Sequence, residues 1–280
     1  MESNKNGIIK GPNGRPIIYD LQHNKESINA PIVIFCHGYK GFKDWGAWGL
    51  FAKTFSSNGI SFLKFNFSHN GGTEKQTVDF PDLEAFAENN YTKELQDLQC
   101  VINWLCDTYK NSKAIDINNI TLMGHSRGGG IATIKASEEQ RIKKLVTIAS
   151  VSDFKLRFPS KMALKSWALS GVYFAKNKRT NQLMPHNYQF YIDFLENEER
   201  LTISRAAKSL NIPHLILHGS ADLAVDVSEA KVLHSWSPNS NICIIPKSNH
   251  VFGSKHPWDE PTITDDLAKV AAKTIDFINN

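Results

Sequence analysis

The chain has 280 residues, of which 41% are hydrophobic and 21% are charged, and its formal net charge is +4. These values are typical of a globular protein with a sizeable core, and the small, dispersed charge argues against a nucleic-acid partner. The four cysteines lack metal-ligand spacing, and no apolar run approaches the length of a membrane span. The first six residues are polar and lack the apolar core of a signal peptide. We therefore expect a soluble cytoplasmic protein that has no metal site and makes no stable membrane insertion.

Apolar runs alternate with amphipathic stretches along most of the chain. The apolar runs predict strands at residues 7–10, 16–19, 32–36, 60–67, 119–123, 145–149, 214–217 and 242–245. The intervening stretches predict helices at residues 45–57, 91–109, 131–139 and 263–278. The first two strands are expected to form a hairpin around a turn at residues 11–14. Because strands alternate with helices, the predicted fold class is α/β: one domain over residues 1–280, with a mostly parallel sheet and helices on both faces.

The alternation stops between residues 154 and 210, where no β-like run is found and aromatic residues are frequent. We interpret this segment as a helical cap inserted into the domain. From residue 154 to residue 192 it carries seven lysines and arginines and no Asp or Glu. Three hypotheses follow: selection of an aromatic or anionic substrate, contact with a lipid surface, or a solvated cap whose aromatic residues only pack on the sheet. Trp167 and Tyr173 are the cap residues expected to contact substrate.

The most specific motif is Gly124-His125-Ser126-Arg127-Gly128, which stands between a predicted strand and a predicted helix. A Gly-x-Ser-x-Gly sequence at such a position is typical of a nucleophile elbow. The serine of this turn holds a strained backbone position, and side chains two residues away would clash with the adjoining strand and helix. Ser126 is therefore the candidate nucleophile.

A serine hydroxyl needs a base to take its proton and an acid to orient that base. Asp222 and His250 each follow a predicted strand downstream of the serine, in the chain order expected for such a site. We assign His250 as general base and then acid, and Asp222 as the group that orients it. Asp226 and Asp153 remain rivals for the acid, and His256 for the base.

An oxyanion hole requires two preorganised backbone N–H donors. The residue after the nucleophile, Arg127, supplies one of them. The loop after the strand at 32–36 should supply the other, and Tyr39 is the predicted donor because His37-Gly38 allows a sharp backbone turn. His37 is a further candidate for contact with the substrate.

Four motifs together resemble the serine α/β-hydrolase superfamily: His37-Gly38-x-x-Gly41, Gly124-His125-Ser126-Arg127-Gly128-Gly129, His218-Gly219-x-x-Asp222 and Asn249-His250. The chain is most similar to the branch of dienelactone-hydrolase-like proteins, feruloyl and cinnamoyl esterases and prolyl-oligopeptidase-type catalytic domains. The resemblance covers about residues 30–280 and implies an α/β-hydrolase fold. It departs from dienelactone hydrolases in having a serine where they use a cysteine. It also departs from many esterases in having Asn66–Gly72 where they carry an Asp-x-Arg-Gly-x-Gly-like turn.

The resemblance implies hydrolysis of carboxylic esters through an acyl-enzyme, with no cofactor and a small-molecule ester as partner. Small or aromatic acyl groups are the expected substrates. Three alternative activities stay open for the same Ser126, His250 and Asp222: that of a peptidase or amidase, of a thioesterase, and of a lysophospholipase. A non-catalytic binding member of the fold is a further alternative. A homodimer is compatible with the sequence.

Overall fold

The computed structural model describes residues 2–12, 14–24 and 26–280. Its strands are β1 (Glu2–Lys10), β2 (Pro16–His23), β3 (Ala30–Cys36), β4 (Ser61–Asn66), β5 (Ile115–His125), β6 (Ile142–Ile148), β7 (Val172–Lys176), β8 (Leu183–Asn187), β9 (His214–Gly219) and β10 (Ser240–Ile245). Its α-helices are α1 (Trp48–Ser57), α2 (Leu83–Ala87), α3 (Tyr91–Tyr109), α4 (Arg127–Glu138), α5 (Lys161–Ser170), α6 (Gln189–Glu196), α7 (Glu198–Leu201), α8 (Ile203–Lys208), α9 (Val227–Trp236) and α10 (Asp265–Asn279).

Eight strands form one sheet in the order β1-β2-β4-β3-β5-β6-β9-β10. The six strands from β4 to β10 pair in parallel, whereas β2 pairs antiparallel with both β1 and β4. The α/β class and the mostly parallel sheet are confirmed. The predicted hairpin is confirmed by β1 and β2, which place Ile8 opposite Ile18. Its predicted turn includes Asn13, which lies outside the described residues.

The central strands are buried on both faces, which is why their sequences are continuous apolar runs. Successive residues of a strand point to opposite faces, so β3 contributes to two separate cores. Ile34 packs in the core that contains Leu98 of α3, whereas Phe35 packs in the core that contains Phe51 of α1 and Val270 of α10. All five side chains are fully buried. Helices therefore cover both faces of the sheet, as predicted.

The sequence analysis predicted a helical cap over residues 154–210, called the cap segment below. In the structure this segment is only partly helical. It contains α5 to α8, but also an antiparallel pair formed by β7 and β8, in which Tyr173 lies opposite His186. The two faces of this hairpin differ: Tyr173 and His186 face a cavity, whereas Phe174 is 52% exposed. The strands are short and half-exposed, and β8 contains Pro185, so neither shows the apolar run on which the prediction relied.

Candidate active site

Ser126 lies in the turn between β5 and α4 with φ 56° and ψ −121°. This is a strained conformation for a residue other than glycine, and it occurs mostly at functional sites. A Cβ atom on Gly124 would overlap the carbonyl oxygen of Gly128, and one on Gly128 would overlap that of Cys36. The two flanking glycines are thus required by close backbone contacts within the turn and with β3. Arg127 is the first residue of α4, so its N–H has no acceptor within the helix.

Replacement of Gly128 by alanine is expected to lower the free energy of unfolding by about 4 kcal/mol or more, because the added methyl group meets rigid backbone. Gly49→Ala is the matched control, since Gly49 lies in α1 and a Cβ atom there meets nothing within 4 Å. That control should be neutral or stabilising by up to about 1 kcal/mol. Urea denaturation followed by circular dichroism measures both. Equal stabilities of the two variants would contradict the packing argument.

His250 and Asp222 meet at the carboxyl edge of the sheet, in the loops after β10 and β9. The Nδ1 atom of His250 donates to Oδ2 of Asp222 over 2.7 Å. The other carboxylate oxygen, Oδ1, accepts from the backbone N–H groups of Ala224 at 2.8 Å and Val225 at 2.9 Å. Burial alone would raise the pKa of Asp222, but hydrogen bonds from His218 and His250 lower that pKa well below its usual range. The carboxylate therefore stays ionised and holds the His250 ring in one orientation.

Two further histidines, His218 and His125, support this pair by hydrogen bonds. The Nε2 atom of His218 lies 2.9 Å from the carbonyl oxygen of Val225 and 3.3 Å from Oδ2 of Asp222. The Val225 carbonyl oxygen and the Asp222 carboxylate oxygen are both acceptors, so Nε2 of His218 carries the hydrogen. The Nε2 atom of His125 donates to the carbonyl oxygen of His250 over 2.9 Å. Burial lowers the pKa of His125 to about 3, so this ring is neutral.

The three rival residues are engaged in local bonds elsewhere. Asp226 caps α9 by accepting from the N–H of Ser228 at 2.8 Å, and Asp153 accepts from the N–H of Lys155 at 2.6 Å. His256 accepts from the N–H of Gly46 at 2.9 Å. None of the three is among the residues that line the cavities beside Ser126 in the described ranges. The geometry thus favours Asp222 and His250 over their rivals.

Ser126 and His250 line a cavity of about 490 Å³, called the aromatic cavity below. Its aromatic lining residues are Tyr39, Tyr91, Phe154, Phe158, Trp167, Tyr173 and Phe190. Trp167 and Tyr173, the two cap residues predicted to contact substrate, are thus both part of this lining. The indole Nε1 of Trp167 donates to the carbonyl oxygen of His186 over 2.8 Å, which fixes the ring at the cavity wall.

His37 does not line the aromatic cavity but lines a second cavity beside Ser126 and His250, and its ring supports the loop that carries Tyr39. Its Nε2 atom accepts from the N–H of Phe67 at 3.3 Å, so Nδ1 carries the hydrogen and donates to the carbonyl oxygen of Gly38 at 2.9 Å. Burial lowers the pKa of His37 to about 4. A Cβ atom on Gly38 would lie 2.9 Å from Cβ of Ser126, so the loop backbone approaches the serine closely.

The Arg127 side chain forms a buried connection that the sequence analysis missed. Its guanidinium lies 3.3 Å from Oε1 of Glu94 and packs over the rings of Tyr39 at 4.3 Å and Tyr91 at 5.2 Å. Glu94 is buried on α3. Burial raises the pKa of Glu94, and this effect is larger than the opposing effect of the Arg127 charge, which lowers it. The available signal was an acidic residue on the apolar face of a helix, four positions before Leu98. Arg127 thus connects the turn that carries Ser126 with Tyr39 in the loop after β3 and with Glu94 and Tyr91 on α3.

His186 was also missed. Its Nε2 atom is 2.7 Å from the hydroxyl oxygen of Tyr39, and its ring stacks on Phe190 with centroids 5.7 Å apart. Burial and the charge of Arg127 lower the pKa of His186 to about 3, so the ring is neutral. No sequence signal marked His186, because β8 itself was not predicted.

Neither a metal centre nor a membrane-spanning helix is found in the part of the chain that the structure describes. Within residues 2–12, 14–24 and 26–280, no three His, Cys, Asp or Glu side chains are grouped to hold a metal ion. No helix in these ranges is both long and apolar enough to cross a bilayer.

Solved structures of esterases and hydrolases share this architecture. Est1E from Butyrivibrio proteoclasticus, solved with ferulic acid bound, is 18% identical with a TM-score of 0.68, covering 98% of each chain. The dienelactone hydrolase of Anabaena variabilis is 15% identical with a TM-score of 0.64, covering 99% of this chain and 97% of its own. At these identities the matches establish the α/β-hydrolase fold.

Two sequence comparisons found matches to the chain, and the family model among them establishes the family. An uncharacterized 31.7 kDa protein from the traX-finO intergenic region of Escherichia coli is 28% identical over 130 residues, 45% of this chain. That match spans 40% of the curated relative's length. The family model described as BD-FAE matches residues 18–237, well over half of the chain. The chain belongs to the BD-FAE family and is an α/β hydrolase.

Proposed function

We propose that this protein hydrolyses carboxylic esters, with Ser126 as nucleophile, His250 as base and acid, and Asp222 as the group that orients His250. One observation carries the proposal. The buried, ionised Asp222 accepts a 2.7 Å hydrogen bond from His250, and His250 shares the aromatic cavity with a serine in a strained turn. This arrangement leaves Nε2 of His250 as the ring atom available to take a proton from Ser126.

In the proposed reaction the hydroxyl oxygen of Ser126 attacks the ester carbonyl while His250 takes the hydroxyl proton. The backbone N–H groups of Tyr39 and Arg127 stabilise the negative oxygen of the tetrahedral intermediate. The intermediate collapses with cleavage of the bond to the alcohol oxygen, and His250 returns its proton to the leaving alcohol. Water then attacks the acyl-enzyme by the same route, releasing the acid and regenerating Ser126.

The substrates that we propose are esters with an aromatic or other flat apolar group. The aromatic cavity is lined mainly by rings, including Tyr91, Phe158 and Phe190, and such walls favour apolar and aromatic groups. Est1E, which shares the fold, was solved with ferulic acid bound. Ferulic acid is an aromatic acid, which supports aromatic esters as the substrate class.

Turnover of a p-nitrophenyl ester series from acetate to laurate, together with methyl ferulate, tests the proposal in wild type and Ser126→Ala. We expect Ser126-dependent turnover, with the highest kcat/KM for the aromatic or short acyl groups. Methyl ferulate is compared with the anilide and thioester of the same acid to separate esterase from amidase and thioesterase activity. Labelling by a fluorophosphonate probe, lost in Ser126→Ala, shows an activated serine independently of substrate choice. Turnover that is unchanged in Ser126→Ala would refute the assigned nucleophile.

A further inference from the structure

A second cavity, of about 400 Å³, lies beside Ser126 and His250 and shares the wall formed by Tyr39 with the aromatic cavity. The two cavities differ in character. The second one, called the basic cavity below, is lined by Lys40 from the loop after β3 and by Lys176, Lys178 and Arg179 from the cap segment. Its remaining lining residues include no Asp or Glu within the described chain. Four cations thus converge on a space adjacent to the candidate nucleophile.

Few acidic side chains balance these cations. Arg179 pairs with Asp79, but among the ion pairs of the described residues none involves Lys40, Lys176 or Lys178. Like charges held near one another oppose folding unless an anion or solvent screens them. A cavity built in this way is electrostatically suited to an anionic group.

Lys40 is held in place by the fold. Its backbone has φ 53°, a left-handed conformation that costs energy for a residue other than glycine. Its ammonium group donates to the carbonyl oxygen of Lys176 over 3.2 Å and lies 4.8 Å from the centre of the Tyr39 ring. Burial lowers the pKa of Lys40, and the charges of Arg127 and Lys178 lower it further. The amine therefore belongs to a half-buried residue that lines the cavity and lies close to other cations.

We propose that the basic cavity is a subsite for a carboxylate or another anionic group of the ester, held by Lys40 and Lys178 while the apolar part of the substrate occupies the aromatic cavity. The inference rests on the proposed function and narrows its substrate class. The substrate then carries an aromatic or apolar group on one side of the scissile bond and an anion on the other. The cap segment contributes to both subsites, with Tyr173 in one cavity and Lys178 in the other.

Two matched ester pairs test this subsite. The first places the anion on the alcohol side and an aromatic group on the acyl side, comparing benzoyloxyacetate with its methyl ester. The second places it on the acyl side, comparing p-nitrophenyl hemisuccinate with its methyl ester. In one pair we expect kcat/KM for the anionic member to exceed that of the neutral member by about tenfold, the effect of one charge-assisted hydrogen bond. The ratio should fall by about tenfold in Lys40→Met/Lys178→Met and should decrease at high ionic strength.

Lys161→Met/Lys165→Met is the control, because it removes the same charge from exposed positions of α5 that line neither cavity. We expect this control to keep the preference for the anionic ester. If the ratio of kcat/KM for the anionic and neutral esters fell equally in both double variants, the preference would come from diffuse electrostatic attraction. That result would overturn the subsite. No preference for the anionic member in either pair, with Ser126-dependent turnover of the neutral esters, would also overturn it.

Binding separates failure of the subsite from failure of the proposed hydrolysis. In the Ser126→Ala background, titration calorimetry measures the Kd for both members of the preferred pair, or of both pairs if no ester is turned over. We expect tighter binding of the anionic member, lost when Lys40→Met/Lys178→Met is added. Equal Kd values for the anionic and neutral members would overturn the subsite whether or not the protein hydrolyses esters.

Discussion

Asp222→Asn is expected to lower kcat for ester hydrolysis by about 10⁴-fold, the effect measured for the orienting acid of a serine-protease triad. The asparagine amide would present a donor or a neutral oxygen where His250 Nδ1 now donates to a carboxylate over 2.7 Å. The ring then loses the tautomer that leaves Nε2 free to take the Ser126 proton. Steady-state kinetics on the best p-nitrophenyl ester measures kcat, and circular dichroism checks that the variant is folded.

Asp226→Asn is the matched control for that experiment. Asp226 is four residues away, and it caps α9 through the N–H of Ser228. Asparagine is an equally good N-cap residue, so kcat and stability should change little. A large loss of kcat in Asp226→Asn, with near-normal kcat in Asp222→Asn, would show that the acid had been wrongly assigned.

Arg127→Met is expected to lower the free energy of unfolding by about 3–5 kcal/mol, the cost of leaving a buried charge without its partner. Glu94 would keep its hydrogen bond from Asn89 but lose the guanidinium that now lies 3.3 Å away. Because burial already raises the pKa of Glu94, loss of Arg127 should raise it further. At acid pH the carboxyl is neutral and burial costs little, so the destabilisation should grow as pH rises through the raised pKa.

Urea denaturation of Arg127→Met at mildly acidic and mildly alkaline pH measures both effects. Adding Glu94→Gln removes the buried charge and should recover much of the stability while abolishing the extra pH dependence. Arg200→Met is the surface control. Arg200 pairs with Glu138 but its side chain is 40% exposed, so its loss should cost less than about 1 kcal/mol. A destabilisation as small in Arg127→Met as in this control would refute the buried-pair argument.

The sheet was predictable because its determinants are local. The continuous apolar runs around Ile34, Leu122 and Ile216 indicate strands buried on both faces, and the structure has them as the centres of β3, β5 and β9. The serine turn was predictable for the same reason. The backbone contacts that require Gly124 lie within five residues of sequence, whereas Gly128 is required by the distant backbone of Cys36 at the end of β3.

The cap hairpin was not predictable from periodicity. β7 and β8 are held by one another and by the cavity wall, not by a buried apolar run, so their residues alternate between exposed and enclosed positions. Half-exposed strands of five residues produce too weak a pattern to distinguish from a loop or a short helix. His186 was missed with them, although it contacts Tyr39 at the candidate site.

The sequence by itself determined the chain order of the eight strands of the main sheet and of α1, α3, α4 and α10. It also determined the serine turn and the short set of acids and histidines that could serve it. Only the tertiary structure decided that Asp222, not Asp226 or Asp153, meets His250, because the parallel strands bring their carboxyl ends to one edge of the sheet. It also decided the pairing of Arg127 with Glu94. These contacts join residues far apart in sequence, and the geometry that brings them together arises only when the sheet and the cap segment pack.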